Sequence, residues 1–200
     1  MSIFQLIKIP IITFSVFNLL ACVQQVDQQE NIPIICVFPN QQAAPGWICG
    51  GPVSGLDIQA VGVVDKSVAG INYMQDMAEI AALKNLTELF KLKAGKSVTQ
   101  YLTSLGVENK KAIKAGASTI NNISVETLDV AKPYKSQLGP EGRMYVLVGL
   151  DKNTSKTLLE NAVKTSMKND IVIWQKMQTQ KSLDEMTAGI VAMESVNAKQ

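Results

Sequence analysis

The chain is predicted to adopt an α+β fold, a small antiparallel sheet packed by an Ala-rich helix, with additional C-terminal helices. Three observations predict it. Ile58–Val64 and Arg143–Leu150 carry apolar residues on both parities of a period-two pattern, as strands buried on both faces do. Between them, Ile71, Met74, Ala78, Ala81, Ala82, Leu86 and Leu89 recur at three- and four-residue spacing and form one stripe of a helix over Ile71–Leu92. After Leu150 the apolar period switches from two to about 3.6 residues, so helices follow the sheet.

Taken in order, Val23–Asn31 is polar, carries Gln24, Gln25, Gln28 and Gln29, and reads as a flexible tether. Ile32–Pro52 holds Pro33, Pro39, Pro45 and Pro52 with Gly46, Gly50 and Gly51, which forbids a long helix and leaves a turn-rich lead-in. Trp47 in its middle either plugs the edge of the core or stacks on a ligand. Gly95 is read as the stop of the first helix. Ser97–Thr103 reads as a second strand, Val98 and Leu102 on one side and Tyr101 on the other, with a helix end as the alternative. Val107–Ile123 is a weaker helix with Ile113, Ala117 and Ile120 inward, in which Gly116 costs about 1 kcal/mol against Ala.

Val125–Tyr134 is expected to pair with Arg143–Leu150 as a hairpin, joined by Ser136–Gly142 around Gly139-Pro140. A helix from Ser155, continuing as far as Gln180, aligns Leu159, Val163, Met167, Ile171 and Trp174. Ser182-Leu183-Asp184-Glu185 has the spacing of a capping box and opens a last helix with Leu183, Met186, Ile190 and Met193 inward.

The first 22 residues speak to location. Lys8 is the only charged side chain before Cys22, and Ile9–Leu20 is nearly all apolar. A positive start, a short apolar run and a small residue before the cut make an export signal. The run falls short of the roughly 20 residues a membrane span needs. Leu19-Leu20-Ala21-Cys22 resembles the lipobox of bacterial lipoproteins. That resemblance implies cleavage between Ala21 and Cys22 and a covalent lipid on Cys22, with no other cofactor. The competing readings are an ordinary signal peptide with a chance cysteine and an uncleaved anchor. Val23 stands where an Asp would mark inner-membrane retention, which implies the outer membrane. The expected organisation is a signal peptide over 1–21, a lipidated tether and lead-in over 22–44, an α+β domain over 45–150 and a helical extension over 151–200.

Composition excludes several chemistries. The formal charge of +2 falls to +1 when Lys8 leaves with the signal, which gives no reason to expect nucleic acid as a partner. The chain has no histidine, so no His-containing triad and no His-based zinc site can exist. Cys36 and Cys49 are close in sequence, and in an oxidising envelope compartment they are expected to pair; the alternative is two free thiols, one of them buried. Such a loop stabilises by roughly 3 kcal/mol on the chain-entropy argument. Gly95-Lys96-Ser97 is the tail of a phosphate-binding loop, but Phe90 occupies the position that needs glycine. Glu126 and Asp129, placed in one predicted strand, do not share a parity, and no carboxylate pair is set for acid–base work.

One order of motifs goes further. Pro45-Gly46-Trp47, the strand leading to Ala60-Val61-Gly62-Val63, the Ala-rich Met77-Ala78-Glu79-Ile80-Ala81-Ala82, and Met144-Tyr145-Val146-Leu147-Val148 together resemble the Lpp-twenty family of bacterial surface lipoproteins, the flagellar lipoprotein P relatives. The resemblance covers about Pro45 to Leu150. It implies a non-enzymatic envelope protein with a structural or interaction role, a homo-oligomer or a part of an envelope assembly such as a flagellar basal body or secretion system. The family helix commonly carries an Arg in its Ala-rich run, whereas this helix has Lys84 and no Arg. The cysteine pair and the helices after Ser155 are also outside the family pattern. Met167, Ile171 and Trp174 are therefore the candidate interface residues, a stripe that a lone domain would otherwise use for its own core. The alternative function is an envelope lipoprotein binding an apolar ligand in a pocket bounded by Trp47, Tyr101 and Tyr145.

Overall fold

Met144–Leu150 is buried at all seven positions and forms β3, the middle strand of a three-stranded antiparallel sheet ordered β1-β3-β2. The computed structural model describes residues 35–175 and 181–197, though not the side chains of 125, 126, 183 and 194–197. The signal segment, Ala21 and Cys22 lie outside the described residues. β1 (Ile58–Val64) runs along one side of β3, pairing Ile58 with Leu150 through Val64 with Met144. β2 (Lys132–Leu138) runs along the other side, with a register shift between Pro133 and Lys135. A proline at a bulge and lysines along a mostly exposed strand are how a sheet edge avoids pairing with another chain. Alternation along β3 sends Met144, Val146, Val148 and Leu150 into the main core, and Tyr145 and Leu147 to the opposite face.

The α+β expectation therefore holds, with both strand spans at Ile58 and Leu150 as read from the sequence. The hairpin partner lies further along the chain than expected, at Lys132–Leu138, and takes Ser136–Leu138 out of the expected turn. Val125–Leu128 is a single 3-10 turn, so Glu126 and Asp129 do not share a strand, and β2 begins only at Lys132. The connection from β2 to β3 is closed by the Gly139 N–H donating to the Arg143 carbonyl at 2.7 Å.

The main correction concerns α1, which runs unbroken from Ile71 to Ser104. Gly95 does not stop it, and Ser97–Thr103 is helix and not strand. Buried side chains recur at every fourth position: Met74, Ala78, Ala82, Leu86, Phe90, Ala94, Val98 and Leu102. Four residues exceed one turn by about 40°, so over seven steps the buried side rotates by about 280°. The N-terminal half packs on the sheet, and the C-terminal half on α2 (Asn109–Asn121) and α5 (Leu183–Asn197). Gly95 lies where α2 crosses: a Cβ there would strike the Ile120 side chain, and one at Gly116 would strike the Gly95 carbonyl. The two glycines permit close approach of backbones. The true stop is Gly106, at φ +77°, with the Val107 N–H bonded to the Leu102 carbonyl and the Gly106 N–H to that of Thr103.

The same approach corrects α2. Its inward side consists of Ala112, Ala115, Gly116, Ser118 and Thr119, while Ile113 is 53% exposed. Ala117 is likewise on the outer side. Small side chains win the inner positions because α1 leaves no room for large ones.

α3 (Lys152–Asn169) starts at Asp151, whose carboxylate accepts from the Asn153 and Thr154 amides and the Thr154 hydroxyl. Those bonds, the Thr154 side chain first, hold the Asp151 carboxyl below the usual carboxylate range. The long helix expected to reach Gln180 instead breaks at Asp170, and a short α4 follows over Ile171–Gln175. α5 opens with the expected capping box: the Ser182 amide donates to Glu185 Oε2 at 2.9 Å, and the Glu185 amide to Ser182 Oγ at 3.2 Å. Met186 and Ile190 are fully buried as expected. Leu159, Val163, Met186 and Ile190 belong to the same hydrophobic cluster as α1 and the sheet. Among the described residues no helix is long and apolar enough to cross a membrane.

At Gly62 a Cβ would overlap the Ala78 carbonyl oxygen and the Ala82 amide nitrogen of α1. Neither is the movable tip of a side chain. Gly62→Ala is therefore expected to destabilise the domain by about 3 kcal/mol, read as a lower urea midpoint at unchanged m-value, whereas Gly46→Ala, with open space around it, leaves the midpoint nearly unmoved.

Candidate functional site

Two regions carry the residues that the sequence singles out. The first is the lead-in, folded over the back face of the sheet. The Cys36 and Cys49 sulfurs lie at bonding distance, with their Cα atoms 5.7 Å apart across 13 positions of chain. The clip holds together two limbs without strands of their own, one carrying Phe38 and the other Trp47. Both aromatics are buried, in a small cluster with Tyr145 and Leu147 that Val53, Leu56 and Val61 border. Phe38 and Tyr145 meet at 5.6 Å between ring centroids with planes tilted by 60°, a favourable aromatic geometry. The Trp47 limb has a second anchor: Gln59 of β1 donates to the Gly51 carbonyl at 2.8 Å and accepts from the Val53 amide at 2.9 Å. Gly50, at φ +84°, makes the turn that brings Gly51 there.

Trp47 is 8% exposed and thus plugs the back of the sheet. The Tyr145 hydroxyl donates to Glu141 Oε1 at 2.5 Å, and burial, then that bond, raises its pKa above the ordinary phenol value. Tyr101 lies elsewhere, in the main core with its ring against Gly189 of α5. The apolar pocket expected between Trp47, Tyr101 and Tyr145 is therefore not assembled. Tyr101 belongs to the cluster on one side of the sheet, and Trp47 and Tyr145 to the cluster on the other.

The second region is the turn from α3 into α4. Trp174 is 0% exposed and Met167 2%, while Ile171 is 50% exposed beside Val172 at 67%. Two of the three interface candidates are thus buried in the chain's own core, and Ile171 alone of the three is on the surface. The break at Asp170 turns the last part of the stripe, so that Trp174 folds inward and Ile171 outward. A run of polar groups fixes that turn. Trp174 Nε1 donates to Ser166 Oγ at 3.3 Å, the Ser166 and Ser118 hydroxyls are 2.7 Å apart, and Ser118 donates to the Asp170 carboxylate. One direction satisfies every member: indole to Ser166, Ser166 to Ser118, Ser118 to the carboxylate. Asn169 Nδ2 donates to Asn122 Oδ1 at 2.7 Å, and Asn122 Nδ2 to the Ser118 carbonyl at 2.8 Å, so α2 and α3 are laced together. The sequence signal for this cluster is a pair of serines, Ser118 and Ser166, at positions whose helical neighbours are buried.

A groove of about 650 Å³ lies between α3 and α5, lined by Lys152, Lys156 and Lys164 on one side and Asp184, Thr187 and Val191 on the other. Lys164 and Glu160 pair at 2.7 Å, which raises the lysine pKa and lowers that of the glutamate. Asp57 at the groove meets Lys93 at 2.7 Å. The lining carries both signs of charge, and an exposed pair such as Lys164–Glu160 contributes little to stability. Exposed apolar side chains lie elsewhere, on α1, where Tyr73, Met77 and Ile80 at four- and three-residue spacing are 48%, 37% and 59% exposed.

The contrast between Trp174 and Ile171 sets a direct expectation. Trp174→Ala opens a cavity and removes one of the two hydrogen bonds to the Ser166 hydroxyl, lowering unfolding free energy by roughly 4 kcal/mol. Ile171→Ala stays within about 0.5 kcal/mol of wild type; urea unfolding followed by circular dichroism compares the two.

With this geometry in hand, no known protein family matches the chain, and no curated protein does either.

Proposed function

We propose that this protein is an outer-membrane-anchored periplasmic lipoprotein with a non-enzymatic, structural or interaction role in an envelope assembly. The observation that carries the reading is Leu19-Leu20-Ala21-Cys22, placed directly after an apolar run that is too short to span a membrane. Acylation of Cys22 would hold the chain at the membrane. A single acyl chain binds with only about 10⁴ M⁻¹, and further chains make the anchoring nearly permanent. The resemblance of Pro45–Leu150 to the Lpp-twenty lipoproteins supports the same class.

Two features of the folded part are in keeping with it. A Cys36–Cys49 pair at bonding distance suits an oxidising compartment such as the periplasm. Tyr73, Met77 and Ile80 of α1, and Ile171 and Val172 of α4, put apolar side chains on the surface, where a second copy or another envelope protein can bury them. With Trp174 and Met167 in the core, these residues take over as the contact candidates.

Metabolic labelling with a clickable palmitate tests the anchor. Wild type is expected to take the label and to run at the size of a chain cut before Cys22, whereas Cys22→Ser stays unlabelled and uncut. Equal labelling of the two proteins ends the lipoprotein reading. Light scattering on the detergent-solubilised protein tests assembly: a mass of two or more copies is expected, and a strict monomer with no stoichiometric envelope partner removes the interaction role.

A further inference from the structure

The limb Ile35–Ala44 is attached to the rest of the fold differently from every other described segment. It lies across the back face of the sheet, with Phe38 4% exposed against Tyr145. Its backbone bonds are its own: Ala44 N–H to the Cys36 carbonyl at 2.9 Å, Phe38 N–H to Gln42 at 2.8 Å, and Gln41 N–H to Phe38 at 2.8 Å. Its one bridge, Val37 with Ala43, is internal as well. What joins it to the body is the packing of Phe38, with Ala44 at its hinge end, on the back-face cluster and the bond from Cys36 to Cys49. The neighbouring Trp47 limb is held without the sulfurs, by both ends of the Gln59 amide. The two cysteines also differ in access. Cys36 is 8% exposed, whereas Cys49 sits on the exposed side of its 3-10 turn.

We propose that the Cys36–Cys49 bond is a redox latch, and that its reduction by a dithiol donor releases Ile35–Ala44 as a flap hinged at Pro45, uncovering Tyr145 and Leu147 while the main core stays folded. The exchange balances in ordinary terms. A donor thiolate attacks the sulfur of Cys49, the more exposed residue of the pair, and the bond between the cysteines breaks with Cys36 leaving as a thiolate. The donor's second thiolate then resolves the mixed disulfide. Two electrons and two protons pass to Cys36 and Cys49, and the donor ends as a disulfide. Release follows because the flap has no other covalent or hydrogen-bonded tie to the sheet among the described residues. The main core is independent of the latch: Leu86, Phe90, Val98, Leu102 and Trp174 are at most 1% exposed and belong to a cluster that contains neither cysteine. The back face that opens is narrow and aromatic, with the Tyr145 hydroxyl already engaged by Glu141.

Amide hydrogen exchange on the full-length chain in detergent, with and without dithiothreitol, reads the latch. On reduction, exchange at Phe38 and Ala44 is expected to speed up by about 100-fold, the order that closure of such a loop implies. The Gly51 and Val53 amides and those of Leu86–Leu102 are expected to change by less than about threefold, since they belong to separately stabilised units. The doubly substituted Cys36→Ser, Cys49→Ser chain is expected to show the open pattern without reductant. Unchanged protection at Ala44 after complete reduction overturns the proposal, because the flap is then held by packing alone. A uniform acceleration that includes Leu86–Leu102 also overturns it, because the bond then stabilises the whole domain and gates nothing.

Discussion

Gly62 and Ala78 bring the backbones of β1 and α1 into direct contact, and the rest of the domain is arranged around that approach. No side chain intervenes between the strand and the Ala78 carbonyl. The short distance draws α1 across the face of β3 as well, so Met144, Val146, Val148 and Leu150 are covered by one helix. Asn85, further along α1, donates to the Val61 carbonyl at 2.9 Å and satisfies an edge group of β1. Close packing of this kind gains dispersion energy from many contacts at once, and it tolerates no added methyl group.

The same device recurs along α1. Gly95 and Gly116 let α2 cross it, and Gly189 admits the Tyr101 ring against α5. Each contact lies on a different side of the helix because the buried stripe advances every fourth residue and winds about the axis. One helix of 34 residues thereby serves as the common wall for the sheet and for two other helices. Helices that pack through glycine, alanine and serine leave backbone and hydroxyl groups near one another. The Trp174–Ser166–Ser118–Asp170 run settles those groups where α2, α3 and α4 meet. A buried polar chain of this sort is favourable only when complete, so its members depend on one another.

The two faces of the sheet are stabilised by different means. The front is a continuous apolar core. The back is closed by Phe38 and Trp47 on a lead-in rich in proline and glycine, which cannot form strands or a long helix and instead relies on a sulfur clip and the Gln59 amide. A covering with no more than one 3-10 turn and one isolated bridge of its own is held by few attachments, so each of them matters more than a single bond within the core would.

Several features were legible in the chain itself because local pattern decides them. Ile58–Val64 and Met144–Leu150 carry apolar residues on both parities, and their length and flanks fit strands, so the sequence places them to within one residue. Ser182 and Glu185 make their capping box within four residues, so spacing suffices. The pairing of Cys36 with Cys49 is expected from their nearness in the sequence, and the structure places their sulfurs at bonding distance. Tertiary structure decided the rest. A glycine such as Gly95 either ends a helix or admits a neighbour, and nothing within α1 reveals that α2 crosses there. Ile113 has the apolarity of a core residue, yet the crossing reserves the inner positions of α2 for Ala112, Ala115 and Gly116. Trp174 and Ile171 belong to one stripe in the sequence; only the turn at Asp170, held in part by Ser118 from a distant helix, sends the first into the core and leaves the second on the surface.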